Sequence, residues 1–398
     1  MEAFLLDSAT LLLRWLHVVA AIAWIGESFY FVALDRGLRA PTRPGEGLSG
    51  ESWSVHGGGF YLKQKFMPAP PVLPEVLHWS KWKSYTTWIS GFALLAVIYL
   101  ASPRIYLIDP AVAELSQPQA IMLVLAFLGL GWLVYDALCR AVGFRERLLG
   151  VLMALFVLAL CYAATHLFAG RAAFLLVGAV LATIMSANVL FVIIPGQKRM
   201  VAALARGEPV DPLPGLRGKQ RSVHNTYFTL PVVFTMLSIH FPAAHAHPQS
   251  WLLLALFMAA GALIRQFFVL WHGGGRAWWL LGAGAALLLL AFVWLAPRLA
   301  PAASSPVSFE PWGEHPDTHS VLPIVHQHCG VCHGAQPSLM PTPPQGLLLD
   351  TAEQVELQAA RVHQQTVVLR LMPPGNLTGM NEDERAALAR WFEARGSD

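Results

Sequence analysis

The segment His326–Gly334 reads HQHCGVCHG. Two cysteines, Cys329 and Cys332, stand three apart, and His333 follows the second directly, which is the C-x-x-C-H arrangement of covalent haem attachment. The spacing has a chemical reason. Two thiols add across the two vinyl groups of one porphyrin, and the adjacent histidine then lies beneath the iron as an axial ligand. A methionine commonly supplies the other axial position and raises the reduction potential. Met372, in RLMPPGNLTGM, is the expected second ligand, because the two prolines after it cannot continue a helix and would hold the loop stiffly. Met380 and Met340 are the other candidates. A zinc site would ask for four ligands, and no second C-x-x-C or H-x-x-x-H pattern follows. These residues therefore predict one covalent haem c, with His333 and Met372 on the iron. Cys139 and Cys161 lie alone in apolar runs and are read as core.

A second set of reactive side chains lies among apolar segments, where an ionisable group is expensive and marks function by default. His17, His166 and His240 fall towards one end of their segments, and His56, His78, His224 and His272 towards the other. Two imidazoles of the first group, His17 and His166, could hold a second, non-covalent haem b. Alternatively each is a histidine hydrogen-bonded between helices. The other group reads as a substrate site. Arg265 and His272 are seven apart and share a helix face. SVHNTYFTLP brings His224 to the start of a segment, and His56 opens the first of two HGGG sequences, at 56–59 and 272–275. An arginine among amides and hydroxyls suits a flat, anionic ligand, and the glycines would allow a close backbone approach. The candidate catalytic residues are thus His224, Arg265, His272 and His56. Glu27 and Asp136 are intramembrane acids that either relay protons or pair with a neighbouring base.

The elements that must position these groups are membrane helices. Of the 398 residues only 13% are Asp, Glu, Lys or Arg, against about 25% in ordinary soluble domains. The net charge of +3 is too small to suggest nucleic acid. A helix of roughly 20 apolar residues crosses a hydrocarbon core about 30 Å thick, and eight such runs occur, at approximately 9–34, 85–101, 120–139, 148–168, 172–195, 225–243, 251–271 and 278–297. The first is read as a retained span, because Glu2 and Asp7 replace the basic start of a signal peptide. The connections 35–84, 140–147, 196–224 and 272–277 carry nearly all the loop Lys and Arg, whereas the alternate connections carry only Arg104 and Arg171. That bias predicts basic loops in the cytoplasm and both termini outside. Haem is attached to c-type cytochromes outside the cytoplasmic membrane, so two independent readings agree on the side of the C-terminus. The expected fold is all-α: a membrane bundle of about eight spans over 1–297, a Pro/Ser-rich linker over 298–318, and a small periplasmic class I-like cytochrome c domain over 319–398. Its closing helix starts near Asn381 with acids in the first turn.

LHVVAAIAWIGESFYF (16–31), VHGGGFY (55–61), YTTWISGFALL (85–95), HNTYFTLPVVF (224–234) and the terminal CGVCH…MPPGN, taken in this order, resemble the bacterial membrane-bound, cytochrome c-linked urate oxidases, also called urate hydroxylases. The resemblance covers essentially the whole chain. It implies oxidation of urate to 5-hydroxyisourate in purine catabolism, without hydrogen peroxide. It also implies that electrons pass through the haem c of Cys329, Cys332, His333 and Met372 to the respiratory chain, by way of a soluble cytochrome c or a terminal oxidase. The location it implies is the bacterial inner membrane. Two rival readings stand beside it. One is a membrane-anchored cytochrome relay that oxidises quinol; the other is a metal or haem transport module.

Overall fold

A computed structural model describes residues 2–296, 316–340 and 343–395. The expected linker falls largely on 297–315, outside the described residues. The chain is mostly helical. Helix α1 spans Glu2–Gly37 and is followed by a hairpin of β1 (Leu48–His56) and β2 (Gly59–Phe66). Then come α2 (Trp82–Leu94), continued by a wider π-type turn over Leu95–Leu100, a short α3 (Pro103–Tyr106), α4 (Gln117–Val142) and α5 (Glu146–Thr165). Helix α6 (Gly170–Ala187) runs through a second π-type turn at Asn188–Ile193 into α7 (Ile194–Ala205). The bundle closes with α8 (Leu213–Ser238), α9 (Pro242–His245), α10 (Ser250–His272) and α11 (Trp278–Leu295).

Six helices have membrane-spanning length and composition: Ser8–Gly37, Gln117–Val142, Glu146–Thr165, Gly170–Ala205, Ser250–His272 and Trp278–Leu295. The segments expected as the other two spans are helical, as α2 and α8, but they fall outside that set. Their polar faces turn inward. Ser84, Thr87 and Ser90 of α2, and Arg221, Asn225, Thr226, Thr229 and Thr235 of α8, are buried. Small residues let these helices approach closely. A Cβ on Gly178 of α6 would stand 1.8 Å from Thr235 Oγ1 of α8. A Cβ on Gly131 of α4 would stand 2.4 Å from a methyl of Val180 of α6.

The all-α expectation is corrected by the hairpin in the long connection at 35–84. Strand pairing runs from His56↔Gly59 to Gly50↔Lys65, around a two-residue turn in which Gly57 (φ +57°) and Gly58 (φ +83°) are both left-handed. This is the type I′ geometry that glycine pairs favour. The first HGGG is therefore a strand reversal. The second ends α10: Gly273 and Gly275 both donate backbone N–H groups to Leu270 O, at 3.0 and 2.9 Å.

The two ends of the bundle differ. At one, Lys65 and Lys219 both pair with Asp35, and Gln220 Nε2 donates to Gly143 O at 2.9 Å. At the other, Ala169 N donates to Leu107 O at 2.9 Å, and Gly170 packs on the His245 carbonyl.

Residues 316–340 and 343–395 form a separate helical core. Helices α12 (Thr318–His328), α13 (Gly330–His333), α14 (Ala352–Leu357), α15 (Ala359–His363) and α16 (Glu382–Ala394) surround Val325, Cys329, Val355, Met380, Leu388 and Trp391. Helix α16 begins where its sequence indicated, with Asn381 and Glu384 exchanging capping hydrogen bonds at 2.9 and 2.8 Å.

Candidate functional site

Two polar clusters lie inside the bundle, on either side of α8. The first joins α4, α6 and α8. Tyr135 Oη is 2.8 Å from His224 Nδ1, and Asn188 Nδ2 donates to Tyr135 Oη at 3.0 Å and to Asn225 Oδ1 at 2.9 Å. Asn188 stands at the start of the π-type turn, a distortion common at functional sites, and its Oδ1 is buried without a partner. Arg221 donates to Asp136 Oδ1 at 2.6 Å, and Arg140 to Asp136 Oδ2 at 2.6 Å. Of the two intramembrane acids, Asp136 thus pairs with arginines, and Glu27 pairs with Lys83 at 2.7 Å. On the outer side of this cluster His224 Nε2 is 3.8 Å from Glu146 Oε2, and the Glu146 side chain is 60% exposed.

The second cluster joins α1, α8 and α10. Arg265 is 3% exposed, and its guanidinium carbon lies 3.9 Å from the centre of the Phe29 ring. It forms no ion pair among the described residues, and its Nε and one terminal nitrogen are buried without hydrogen-bond partners. Its neighbour Gln266 accepts a hydrogen bond from Tyr227 Oη. Tyr227 stands within electrostatic reach of Arg265, Arg36 and Glu146. A buried cation without a counter-charge is costly, and the cost is removed when an anion arrives. The flat Phe29 face and the Gln266 amide add the stacking and edge hydrogen bonding that a planar anion would use.

Of the four candidates, His224 lies in the first cluster and Arg265 in the second, with His272 within electrostatic reach of Arg265. His56 is exposed at the hairpin turn, and His272 is exposed at the end of α10. The two histidines expected to hold haem b have different surroundings. His17 packs on α2, where Nδ1 is 2.9 Å from Thr87 O and 3.1 Å from Ser90 Oγ, and a Cβ on Gly91 would stand 2.8 Å from its Cε1. His166 is exposed at the end of α5, stacked on Tyr162 at 4.0 Å. Helix α1 packs on α2, α8 and α10, and α5 on α4, α6 and α10. Sequence reading passed over Tyr135, Asn188, Glu146, Phe29, Tyr227 and Gln266, all of which gain their roles across helix interfaces. It also passed over His245, buried against Phe174 with both ring nitrogens unpartnered. Burial and the nearby Arg171 push His245 down to about 4, so it is neutral at physiological pH.

In the C-terminal domain the cassette joins the end of α12 to the short helix α13. Cys329 is packed in the core, where burial pushes its thiol up to about 12, and Cys332 is partly exposed. His333 Nδ1 donates to Leu347 O at 3.1 Å, which orients the ring and leaves Nε2 free for a metal. The other histidines of the cassette are engaged. His326 Nε2 is 2.7 Å from Asp350 O. His328 lies 2.8 Å from Thr378 Oγ1 through Nδ1 and 3.2 Å from Glu384 through Nε2. Met380 is consumed by the core, whereas Met372 is partly exposed. Arg385, another residue with no sequence signal, donates to the Met372 carbonyl at 3.1 Å and to Thr366 O, and so holds the methionine loop. Among the described residues no group of three or more His, Cys, Asp or Glu side chains could hold a metal ion, so the cassette lacks the donors of a zinc site.

Fold and site together define a helical bundle with six helices of membrane-span length, a buried arginine without an ion pair among the described residues, and a helical C-terminal domain. The family described as urate oxidase N-terminal matches residues 3–296, and the chain belongs to it. Comparison with curated proteins and with solved structures finds no match.

Proposed function

We propose that this chain is a membrane-bound oxidoreductase that converts urate to 5-hydroxyisourate and delivers the electrons to a haem c in its C-terminal domain. The single observation that carries the reading is Arg265: a buried guanidinium with unpartnered nitrogens under a phenyl ring, inside a urate oxidase-family bundle. Urate is a planar monoanion at neutral pH. The reaction adds a water-derived oxygen at C5 and releases two protons and two electrons. Arg265 binds the anionic ring system, Phe29 shapes the slot, and the Gln266 and Tyr227 side chains read its edge. His224 receives a proton and is oriented by Tyr135. The exposed Glu146 carboxylate carries that proton towards solvent.

Cys329, Cys332, His333 and Met372 would hold a covalent haem, the two cysteines by its periphery and the histidine and methionine by its iron. When bound, that group supplies a one-electron acceptor, so each urate requires two transfers. Leu347 and Arg385 set the positions of the two axial side chains. The basic end of the bundle faces the cytoplasm, as the loop Lys and Arg imply, and α2 and α8 complete eight crossings of the bacterial inner membrane. The C-terminal domain then lies in the periplasm, where a soluble cytochrome c or a terminal oxidase takes the electrons and no hydrogen peroxide is made.

The test is optical. Oxidised, purified protein is mixed anaerobically with urate, and the reduced α-band of the haem is followed. Reduction by urate, and not by xanthine or allantoin, is the expected result. A haem left oxidised by urate but reduced by a quinol would replace this reading with the relay.

A further inference from the structure

The C-terminal domain touches the bundle through the methionine loop, which packs on α3 and the residues after it. Cys332, the partly exposed cysteine of the cassette, lies within electrostatic reach of the Tyr106 hydroxyl at the end of α3. Gly375, in the methionine loop, is seated on the next residues of the same segment. A Cβ there would stand 2.5 Å from Ile108 O and 3.3 Å from Asp109 Cα. These obstacles are backbone atoms and cannot turn aside. Beneath the contact the Tyr106 ring lies 5.3 Å from the Tyr99 ring, which is buried in the bundle core. Cys329 faces the opposite way, into the domain's own core.

We propose that Pro103–Asp109 is the docking platform of the C-terminal domain and the port through which electrons enter it at the Cys332 edge. The proposal rests on the haem reading given above. The chemistry is the transfer of single electrons to the haem from the substrate as it is oxidised in the bundle, with no bond made or broken at the interface. Each electron crosses from the bundle side of Tyr106 to the thioether side at Cys332. The arrangement explains why a glycine stands directly after MPP: any side chain at 375 would separate the two halves.

The test uses the full-length haem-loaded chain in detergent and two matched variants. Asn tolerates a left-handed backbone better than other side chains. Gly375 (φ +54°) and Gly379 (φ +72°) are both left-handed, but a Cβ at 379 meets nothing within 4 Å. Gly375→Asn therefore wedges the interface, and Gly379→Asn is the control for loop strain. For Gly375→Asn two changes are expected. Amide hydrogen exchange over 103–112 accelerates, and single-turnover reduction of the haem by urate slows by about tenfold or more. Reduction by dithionite and the haem spectrum should stay as in the parent. Gly379→Asn should resemble the parent in every respect. Unchanged exchange over 103–112 in Gly375→Asn would overturn the docking. Accelerated exchange with urate-driven reduction at the parental rate would overturn the port, as would an equal slowing in Gly379→Asn. Failure of urate to reduce the parent haem would count against the substrate and not the contact, which hydrogen exchange decides by itself.

Discussion

Two arginines are buried within the bundle, and they are held there in different ways. Arg221 has a carboxylate: its guanidinium donates to Asp136 at 2.6 Å and lies 4.9 Å from the Tyr135 ring centre. Arg265 has only a ring, Phe29, and no ion pair among the described residues. Yet the two are almost equally excluded from water, at 4% and 3% exposure. Burial of a charge is therefore compensated inside the protein at Arg221 and left open at Arg265. The first arrangement stabilises the resting chain. The second stores a binding energy that an anionic ligand can collect, and a planar ligand can use the phenyl face as well.

The comparison breaks most visibly in catalysis. Arg265→Ala is expected to lower urate-driven haem reduction by about 100-fold or more, in line with a loss of roughly 2–5 kcal/mol for a buried charge partner. Arg265→Lys should restore little of this, since an ammonium lacks the planar fork. Stopped-flow absorbance of the haem measures both, and a parental rate in Arg265→Ala would end its role as the anion clamp.

Stability should divide the two arginines in the opposite direction. Asp136→Ala leaves Arg221 buried and unpaired, and should cost about 3–5 kcal/mol. Arg265→Met removes a charge that has no partner, and should leave the ligand-free protein unchanged or more stable by about 1–4 kcal/mol. Denaturation in detergent without ligand checks the pair; a large loss in Arg265→Met would mean that Arg265 is compensated after all.

Ligand linkage gives a third, smaller effect. Urate at about 100 times its dissociation constant should stabilise the parent by about 2.7 kcal/mol. The same addition should do nothing for Arg265→Met, and thermal shifts with and without urate would show it. The smallest change is expected at Tyr135→Phe, which removes the hydroxyl between His224 and Asn188. Its stability should fall by only about 1 kcal/mol, while the pH profile of turnover should move, because His224 loses the group that orients it. An unmoved profile would separate His224 from proton transfer.

How much of this was legible in the linear chain depended on the range of the interaction involved. The six strongly apolar helices could be read directly, because a hydrocarbon solvent demands continuous apolar composition. The start of α16 could be read too, since Asn381 and Glu384 cap each other across one turn. The hairpin was missed, although Gly57–Gly58 between WSVH and GFYLKQKF is a turn signal between alternating segments. Reading HGGG as a ligand cradle concealed it and drew His56 into the site. His272, chosen by its helical spacing to Arg265, is exposed at the end of α10; spacing establishes a shared face but says nothing of depth.

The sequence by itself determined the helical, membrane-type composition, the spacing of Cys329, Cys332 and His333, and the presence of arginine and histidine in apolar surroundings. These are local properties, set by residue type and by neighbours within a turn or two. Only the tertiary structure decided which arginine has a carboxylate, that Tyr135 engages His224 and is itself held by Asn188, that His17 packs on α2, and that the methionine loop rests on Ile108. Each of those outcomes depends on side chains from different helices meeting in space, and helical periodicity fixes a face without naming the face it meets.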